Sequence, residues 1–323
     1  MRIFFLEWNA EYGKLMINNL AADYDIHEIS RLLYRFKSLN KKIPGNILKK
    51  IHLKMHYRVK LGCIKSDDII ICNAYSALAI VELIELIPCK KILLCRDTLE
   101  KLNNNMRNKR LLQPNENYLE KVKPYFDKIY SFEENDCHSF GINFLHQFLS
   151  FTSAQYLKQN HQVRSIANMA LYVGEFTEYR ADILIKIHAI LKALNYITDF
   201  HLVSTINSIT PPYFCKNEKI SYCENIKKVQ TAKILIEINR HGQTGLTLRA
   251  LEALFFNKKL ITNNKEIKNH IFYCPERIFI WGTDSVENIG SFLAKDIEPV
   301  DLGIIKNYTA DAMIDRLIKD IRN

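Results

Sequence analysis

The chain has 323 residues, of which 48% are hydrophobic and 25% charged, a balance that excludes a disordered tail protein, a collagen-like repeat and a coiled-coil rod. At about 100–200 residues per domain the length suggests two domains, and 10 glycines with 8 prolines leave little room for long flexible linkers. The formal charge of +10 favours anionic partners without choosing among nucleic acid, anionic lipid and phosphorylated glycan.

Short β-rich runs alternate with helical ones along the chain. Strands are predicted at Ile3–Leu6, Asp68–Cys72, Lys91–Cys95 and Lys128–Phe132, then at Met169–Val173, His201–Ser204, Ile234–Ile238, Lys259–Thr262 and Arg277–Trp281. Helices are predicted at Ser76–Leu86, Ala181–Leu194, Leu246–Phe256 and Thr309–Ile321. Strands written as continuous apolar runs are those buried on both faces of a parallel sheet. Strand–helix alternation of this kind implies an α/β architecture. The alternation occurs twice, separated by a polar, aperiodic segment around 155–167. The expected fold is α/β, two Rossmann-like domains facing a central cleft. The expected divisions are 1–160, 161–308 and a C-terminal helix, 309–323, that packs back on the N-terminal domain.

Eight cysteines contain no C-x-x-C pair, and several sit in apolar runs such as IIIC and ILLC. They read as buried free thiols of a reducing compartment. Only four uncharged residues, Ile3 to Leu6, separate Arg2 from Glu7, too few for a signal peptide. No uncharged apolar stretch reaches the roughly 18 residues of a spanning helix. A cytoplasmic protein is expected, able to touch the inner face of a membrane.

Charge is unevenly spread. Residues 1–166 carry a net +8 and residues 167–323 a net +2. From Arg31 to Lys65 there are 11 basic residues and no acidic one. Ile47, Leu48, Ile51 and Met55 are interleaved at helical spacing with Lys41, Lys42, Lys49, Lys50 and Lys54. This basic amphipathic segment is a solvated helix face, a patch for an anionic membrane or glycolipid acceptor, or, with no stacking platform beside it, a nucleic-acid surface.

The chemistry concentrates in Ile234–Asn264, which reads strand, polar loop, helix, strand. Glycines at 242 and 245 let backbone approach a ligand closely. The helix is expected to start near Leu246 with Thr244 as its cap, and its exposed N–H groups suit a phosphate. On a helical wheel Leu248, Leu251, Leu254 and Phe255 form the apolar face, and Gly245, Arg249 and Glu252 share one flank about 60° wide. A glutamate there can accept two hydrogen bonds from a ribose diol while the arginine neutralises phosphate; the same spacing equally makes an ordinary i,i+3 ion pair.

The order of strand, G-Q-x-G-L-T-x-R-x-x-E-A-L, then K-K-L-I-T-x-N resembles the donor-binding half of GT-B glycosyltransferases, above all the bacterial lipopolysaccharide and capsule enzymes. It is carried here by Gly242, Gln243, Gly245, Leu246, Thr247, Arg249, Glu252, Ala253, Leu254, Lys258, Lys259, Leu260, Ile261, Thr262 and Asn264. Residues 126–145 and 171–187 are similar to the same group. The resemblance implies transfer of a sugar from a nucleotide-sugar donor to a lipopolysaccharide or surface-glycan acceptor. The N-terminal domain would serve the acceptor and the C-terminal domain the donor. It places Glu252 on the ribose and His241, Gly242, Gln243 and Thr244 near the diphosphate, with Gly174 and Arg180 facing the cleft. The glutamate that many retaining members carry eight positions earlier is Thr244 here, so the stereochemistry stays open.

A base for the acceptor hydroxyl, if the reaction needs one, is expected at a strand end, where Asp97 and Glu7 are the first candidates and Glu134 the next. No metal or other cofactor is expected. Asp23 and Asp25 form a D-x-D too short and too early to carry weight. His52 and His56, four apart, lack the intervening glutamate of a zinc protease. A non-enzymatic basic protein binding anionic lipid or nucleic acid is the alternative.

Overall fold

The structure is a computed structural model that describes residues 1–30, 36, 38–158, 168–204, 211–240 and 243–322. The expectations for Arg31, Arg35, Lys37, His241, Gly242 and most of the 155–167 segment lie outside those residues. The chain forms two units, one of Met1–Phe151 together with the segment from Ala310, the other of Thr152–Thr309. It thus changes unit at 151/152, where 160/161 was expected, and changes again at 309/310.

The first unit holds a six-stranded parallel sheet. Its strands are β1 (Ile3–Leu6), β2 (Ile26–Ile29), β3 (Ile69–Asn73), β4 (Lys90–Cys95), β5 (Lys128–Ser131) and β6 (Asn143–Phe144), in the order β2-β1-β3-β4-β5-β6. The second unit has another. Its strands are β7 (Met169–Glu175), β8 (Ile197–Val203), β9 (Cys215–Lys216), β10 (Ile234–Glu237), β11 (Lys259–Thr262) and β12 (Ile278–Ile280), in the order β12-β11-β10-β7-β8-β9. The described helices of eight residues or more are α1 (Glu11–Leu20), α2 (Asn46–Lys60), α3 (Leu99–Asn108), α4 (Glu178–Ala193), α5 (Tyr222–Thr231), α6 (Leu248–Phe255) and α7 (Ala310–Arg322).

The apolar runs explain why the central strands form where they do. Every residue of β1, β3, β10 and β11 is buried, as helices on both faces of a parallel sheet require. Side chains alternate between the faces. In the first unit Phe4, Leu6, Ile70, Cys72 and Leu93 pack with Leu83 and with Leu102 and Met106 of α3. Ile3, Phe5, Ile69, Ile71 and Leu94 face the other way, against Met16, Ile17 and Leu20 of α1 and Met313, Ile314 and Leu317 of α7. The C-terminal helix therefore completes the first unit's core, and the Tyr24 and Tyr130 hydroxyls donate to Asp315 and Asp320 on it at 2.8 and 3.0 Å. In the second unit Ile183, Leu184, Ile187 and Leu191 of α4 cover Tyr172, Phe200 and Ile236.

Three strands escape sequence reading, namely β2, β6 and β9, and each is an edge strand of two to four residues. An edge strand packs on one side only and needs no apolar run. Among the cysteines, Cys63 and Cys223 are exposed, a correction to the reading of them as buried; Cys72, Cys89, Cys95 and Cys137 are buried as expected.

Each sheet reverses its strand order once, between β1 and β3 in the first unit and between β7 and β10 in the second. Outside the carboxyl ends of two strands whose connections leave in opposite directions a crevice opens, and there α/β proteins bind ligands.

Candidate functional site

In the first unit, Glu7 occupies that reversal. It follows β1 directly, one step beyond the Leu6–Cys72 pairing, so it lies level with Asn73 at the end of β3. Its backbone is left-handed, at φ 60°, which costs a non-glycine residue of order 1–3 kcal/mol and persists only where the surroundings impose it. They do so here. The Glu7 N–H donates to the Ile29 carbonyl at 2.9 Å, and the next side chain, Trp8, is buried with its indole N–H on the Ile71 carbonyl at 3.0 Å. The Glu7 carboxylate is buried; Oε2 accepts from the Asn9 amide at 2.8 Å, whereas Oε1 has no hydrogen-bond partner among the described residues. A buried acceptor left open carries a desolvation cost of about 1–3 kcal/mol.

Asp97, two residues past β4, is placed differently. Its Oδ2 accepts from the Tyr75 hydroxyl at 2.5 Å and from Lys101 Nζ at 2.7 Å, an i,i+4 ion pair at the start of α3. Glu134 opens a short helix, Glu134–Phe140.

In the second unit the carboxyl ends of β7, β10 and β11 are laced together by polar side chains. Arg180, in the first turn of α4, donates from Nε to the Ile238 carbonyl at 2.9 Å and from Nη1 to the Glu175 carbonyl at 3.1 Å, spanning the reversal. Gly174 has a packing role. A Cβ there would fall 2.3 Å from the Tyr172 hydroxyl oxygen, so glycine admits that buried ring. Glu237, the last residue of β10, is buried and accepts from the Thr247 and Thr262 hydroxyls. Burial pushes its carboxyl above the usual range, opposed by those two bonds and by Arg249 and Arg180.

Thr247, not Thr244, caps α6. Its hydroxyl accepts from the Arg249 N–H at 3.1 Å, and the helix starts at Leu248, two residues later than expected. The cap moves because Glu237 anchors the Thr247 hydroxyl. Gln243, Thr244 and Gly245 lie half-buried ahead of it, and the Thr244 carbonyl accepts from the Asn264 amide at 3.0 Å. Asn239 exchanges backbone bonds with the Asn263 side chain at 2.7 and 3.2 Å. Its own buried side-chain amide has neither oxygen nor nitrogen paired among the described residues. It is the second unit's counterpart to Glu7: a buried polar group beside the strand reversal with hydrogen-bonding capacity unused.

Arg249 and Glu252 meet as the wheel requires. Arg249 Nη1 donates to Glu252 Oε2 at 2.8 Å, and Asn225 of α5 closes the set, accepting from Arg249 Nη2 at 3.0 Å and donating to Glu252 Oε1 at 3.3 Å. Glu252 is only 2% exposed. Burial pushes its carboxyl up, and Arg249, Asn225 and Tyr222 pull it back. Sequence reading missed Asn225, Glu237 and Asn239. Glu237 had a signal, a carboxylate ending the run Ile-Leu-Ile; Asn225 had none, because only the packing of α5 on α6 brings it in.

Lys258 and Lys259 belong to the resemblance motif but lie at the opposite end of β11. Lys258 Nζ donates to the Gln230 carbonyl at 2.6 Å, and Lys259 Nζ to the carbonyls of Glu276, at 3.0 Å, and Phe292. Burial pushes each ammonium down to about 8. The unfolded chain therefore binds more protons than the folded one from about pH 8 up to the ordinary lysine value near 10.4, and stability rises with pH across that window. The urea midpoint is expected to climb between about pH 7.5 and 9.5 by the equivalent of about 1–2 kcal/mol per lysine. In Lys258→Met/Lys259→Met most of that climb should vanish; an unchanged slope would discard this account of the two lysines.

Among the described residues no three His, Cys, Asp or Glu side chains gather as a metal-binding group. No protein-family model matches the chain, and no curated protein sequence does. Solved structures match along its length. An α,α-trehalose-phosphate synthase (UDP-forming) from Burkholderia vietnamiensis superposes with a TM-score of 0.55 at 10% identity, covering 100% of each chain. The fold is GT-B. The UDP-GlcNAc 2-epimerase of Methanocaldococcus jannaschii shares it, with a TM-score of 0.54 at 10% identity over 99% of this chain and 100% of that one. A mutant of S. aureus TarM in complex with fondaparinux, alpha-GlcNAc-glycerol and UDP matches at 0.53 and 9% identity. That match covers 83% of this chain but only 58% of TarM. A GT-B frame thus carries both synthases and an epimerase, and the reaction must be argued from the site.

Proposed function

We propose that the protein is a glycosyltransferase that moves a sugar from a nucleotide-sugar donor to a lipopolysaccharide or other surface-glycan acceptor at the inner face of a membrane. The observation that carries this reading is the carboxyl edge of the second sheet at β7 and β10. There Arg180 bridges the ends of β7 and β10, the Asn239 amide is unpaired among the described residues, and Thr244, ahead of α6, is held by the Asn264 amide beyond the end of β11. Backbone N–H groups and arginine at such an edge suit a diphosphate. Structural neighbours that act on or bind UDP or UDP-sugars share this fold. Within this reading Gln243, Thr244 and Gly245 lie near the diphosphate and Glu252 near the ribose. Arg249 screens phosphate charge, and no metal or other cofactor is needed.

Where transfer proceeds with inversion, the acceptor oxygen bonds to the anomeric carbon. The bond to the nucleoside diphosphate breaks, and the hydroxyl proton passes to a carboxylate. Glu7 fits that role better than Asp97, because its Oε1, though buried, has no partner among the described residues, whereas Lys101 and Tyr75 already hold Asp97.

The test is thermal unfolding with a panel of nucleoside diphosphates and their sugars. One of them, at about 100 times its dissociation constant, should stabilise the protein by about 2.7 kcal/mol and raise Tm by several degrees. No shift with any nucleotide would defeat the proposal and leave a basic binding protein. Conversion of the donor sugar without an acceptor would point to an epimerase, and activity lost in chelator to a metal-dependent site.

A further inference from the structure

We infer that α2 is an interfacial helix that inserts its outer face into an anionic lipid bilayer. Fifteen residues long, it buries none of them fully. Ile47, Leu48, Ile51, Met55 and Val59 are 53–77% exposed and fall within about 120° on the helical wheel. The helix already has an inner face. Leu53 and Tyr57 pack on the first unit's core, and the rings of His52 and His56 lie against Phe36 at 4.8 and 4.5 Å. The exposed stripe is therefore a second apolar face, turned away from the protein's own core. Contiguous apolar surface of this extent is uncommon on a soluble protein and marks a contact site.

Charge decides what the contact is. Lys50 and Lys54 run along one flank of the stripe, Arg58 stands just inside that edge, and all three are exposed, as are Lys41 and Lys42 just before the helix. Residues 31–65 contain no carboxylate. An apolar stripe flanked by cations matches acyl chains beneath phosphate headgroups, with the helix axis in the membrane plane and the lysine stems reaching up to the phosphates. A nucleic-acid surface has no use for the five apolar side chains. No described helix is long and apolar enough to cross a membrane, so the contact is with one leaflet. The inference gives the proposed transferase a means of meeting a lipid-borne acceptor and rests on that reading only for its biological sense.

The experiment is flotation of the full chain with phosphatidylcholine vesicles, with and without about one third phosphatidylglycerol, in the absence of donor and acceptor. Binding is expected to the anionic vesicles and to weaken with salt. Ile51→Asp/Met55→Asp should lower vesicle affinity tenfold or more, and Lys50→Glu/Lys54→Glu should lower it too. Tm and any nucleotide-induced shift should stay at the wild-type values, since all four side chains are exposed. Met55→Trp should show blue-shifted emission on binding, quenched by brominated acyl chains. Absence of binding to anionic vesicles overturns the inference. So does binding that the aspartate pair leaves intact, which would mean attraction without insertion. A dimer that the aspartate pair dissociates, with no vesicle binding, would assign the stripe to a second copy instead. Because nucleotide binding is read separately, failure here and failure of the proposed transferase activity are distinguishable.

Discussion

Glu7→Gln is expected to lower kcat by about 10²–10⁴ while leaving nucleotide affinity within twofold of wild type, the range for losing a general base. Glutamine keeps the shape and can keep the contact with the Asn9 amide. It cannot take a proton at the position of the unpaired Oε1. A second variant separates catalysis from structure. Glu7 holds φ at 60°, a conformation that glycine adopts without penalty. Glu7→Gly should therefore relieve strain and remove an unpaired buried acceptor, offsetting part of the packing it loses. It is expected to unfold no earlier than Glu7→Ala, which keeps the strain, and to be as inactive. Steady-state kinetics with saturating donor, beside thermal melts, reads both quantities. If Glu7→Gln turns over at the wild-type rate, the base lies elsewhere and the strained carboxylate needs another explanation.

Why Glu7 was only half legible in the sequence is instructive. Its place after an apolar run was enough to nominate it as a strand-end carboxylate. Its rank against Asp97 depended partly on Tyr75, which lies 22 residues from Asp97 and meets it through tertiary packing alone, although Lys101, four residues on, was a local partner. The same division runs through the fold. Apolar runs such as IFFL and ILIE specify buried strands locally, and their predicted bounds match β1 and come within one residue of β10. Strand order is a non-local property. Nothing in Ile234–Glu237 says that it pairs with Met169–Glu175, yet that pairing creates the reversal at which Asn239 and Arg180 stand. Helical spacing from Ile47 to Met55 gave the α2 stripe. Whether such a stripe turns inward or outward depends on which face finds Phe36 and the first unit's core, and that is written in three dimensions only.

Truncating Glu252 should damage the fold: it is 2% exposed, with both oxygens engaged by Arg249 and Asn225. Glu252→Ala strands a guanidinium whose side chain is 11% exposed, and it is expected to cost about 3–5 kcal/mol of stability, as for other broken buried pairs. Weakened nucleotide binding in that variant would then reflect a damaged second unit as readily as a lost contact. The informative comparison is the double variant Arg249→Leu/Glu252→Leu. Replacing both charges with apolar groups removes the unpaired ion and is expected to recover most of the stability lost by either single change. Two roles then give opposite results at equal stability. If the pair only braces α5 against α6, the double variant binds nucleoside diphosphate as wild type does. If Glu252 yields an oxygen to the ribose and Arg249 swings to phosphate, the double variant is stable and binds at least about tenfold more weakly, the loss of one charge-assisted hydrogen bond of about 1.5–3 kcal/mol. The proposed donor role requires the second outcome. Calorimetric titration at matched folded fraction measures it, and wild-type affinity in a stable double variant would reduce the stripe on α6 to a structural ion pair.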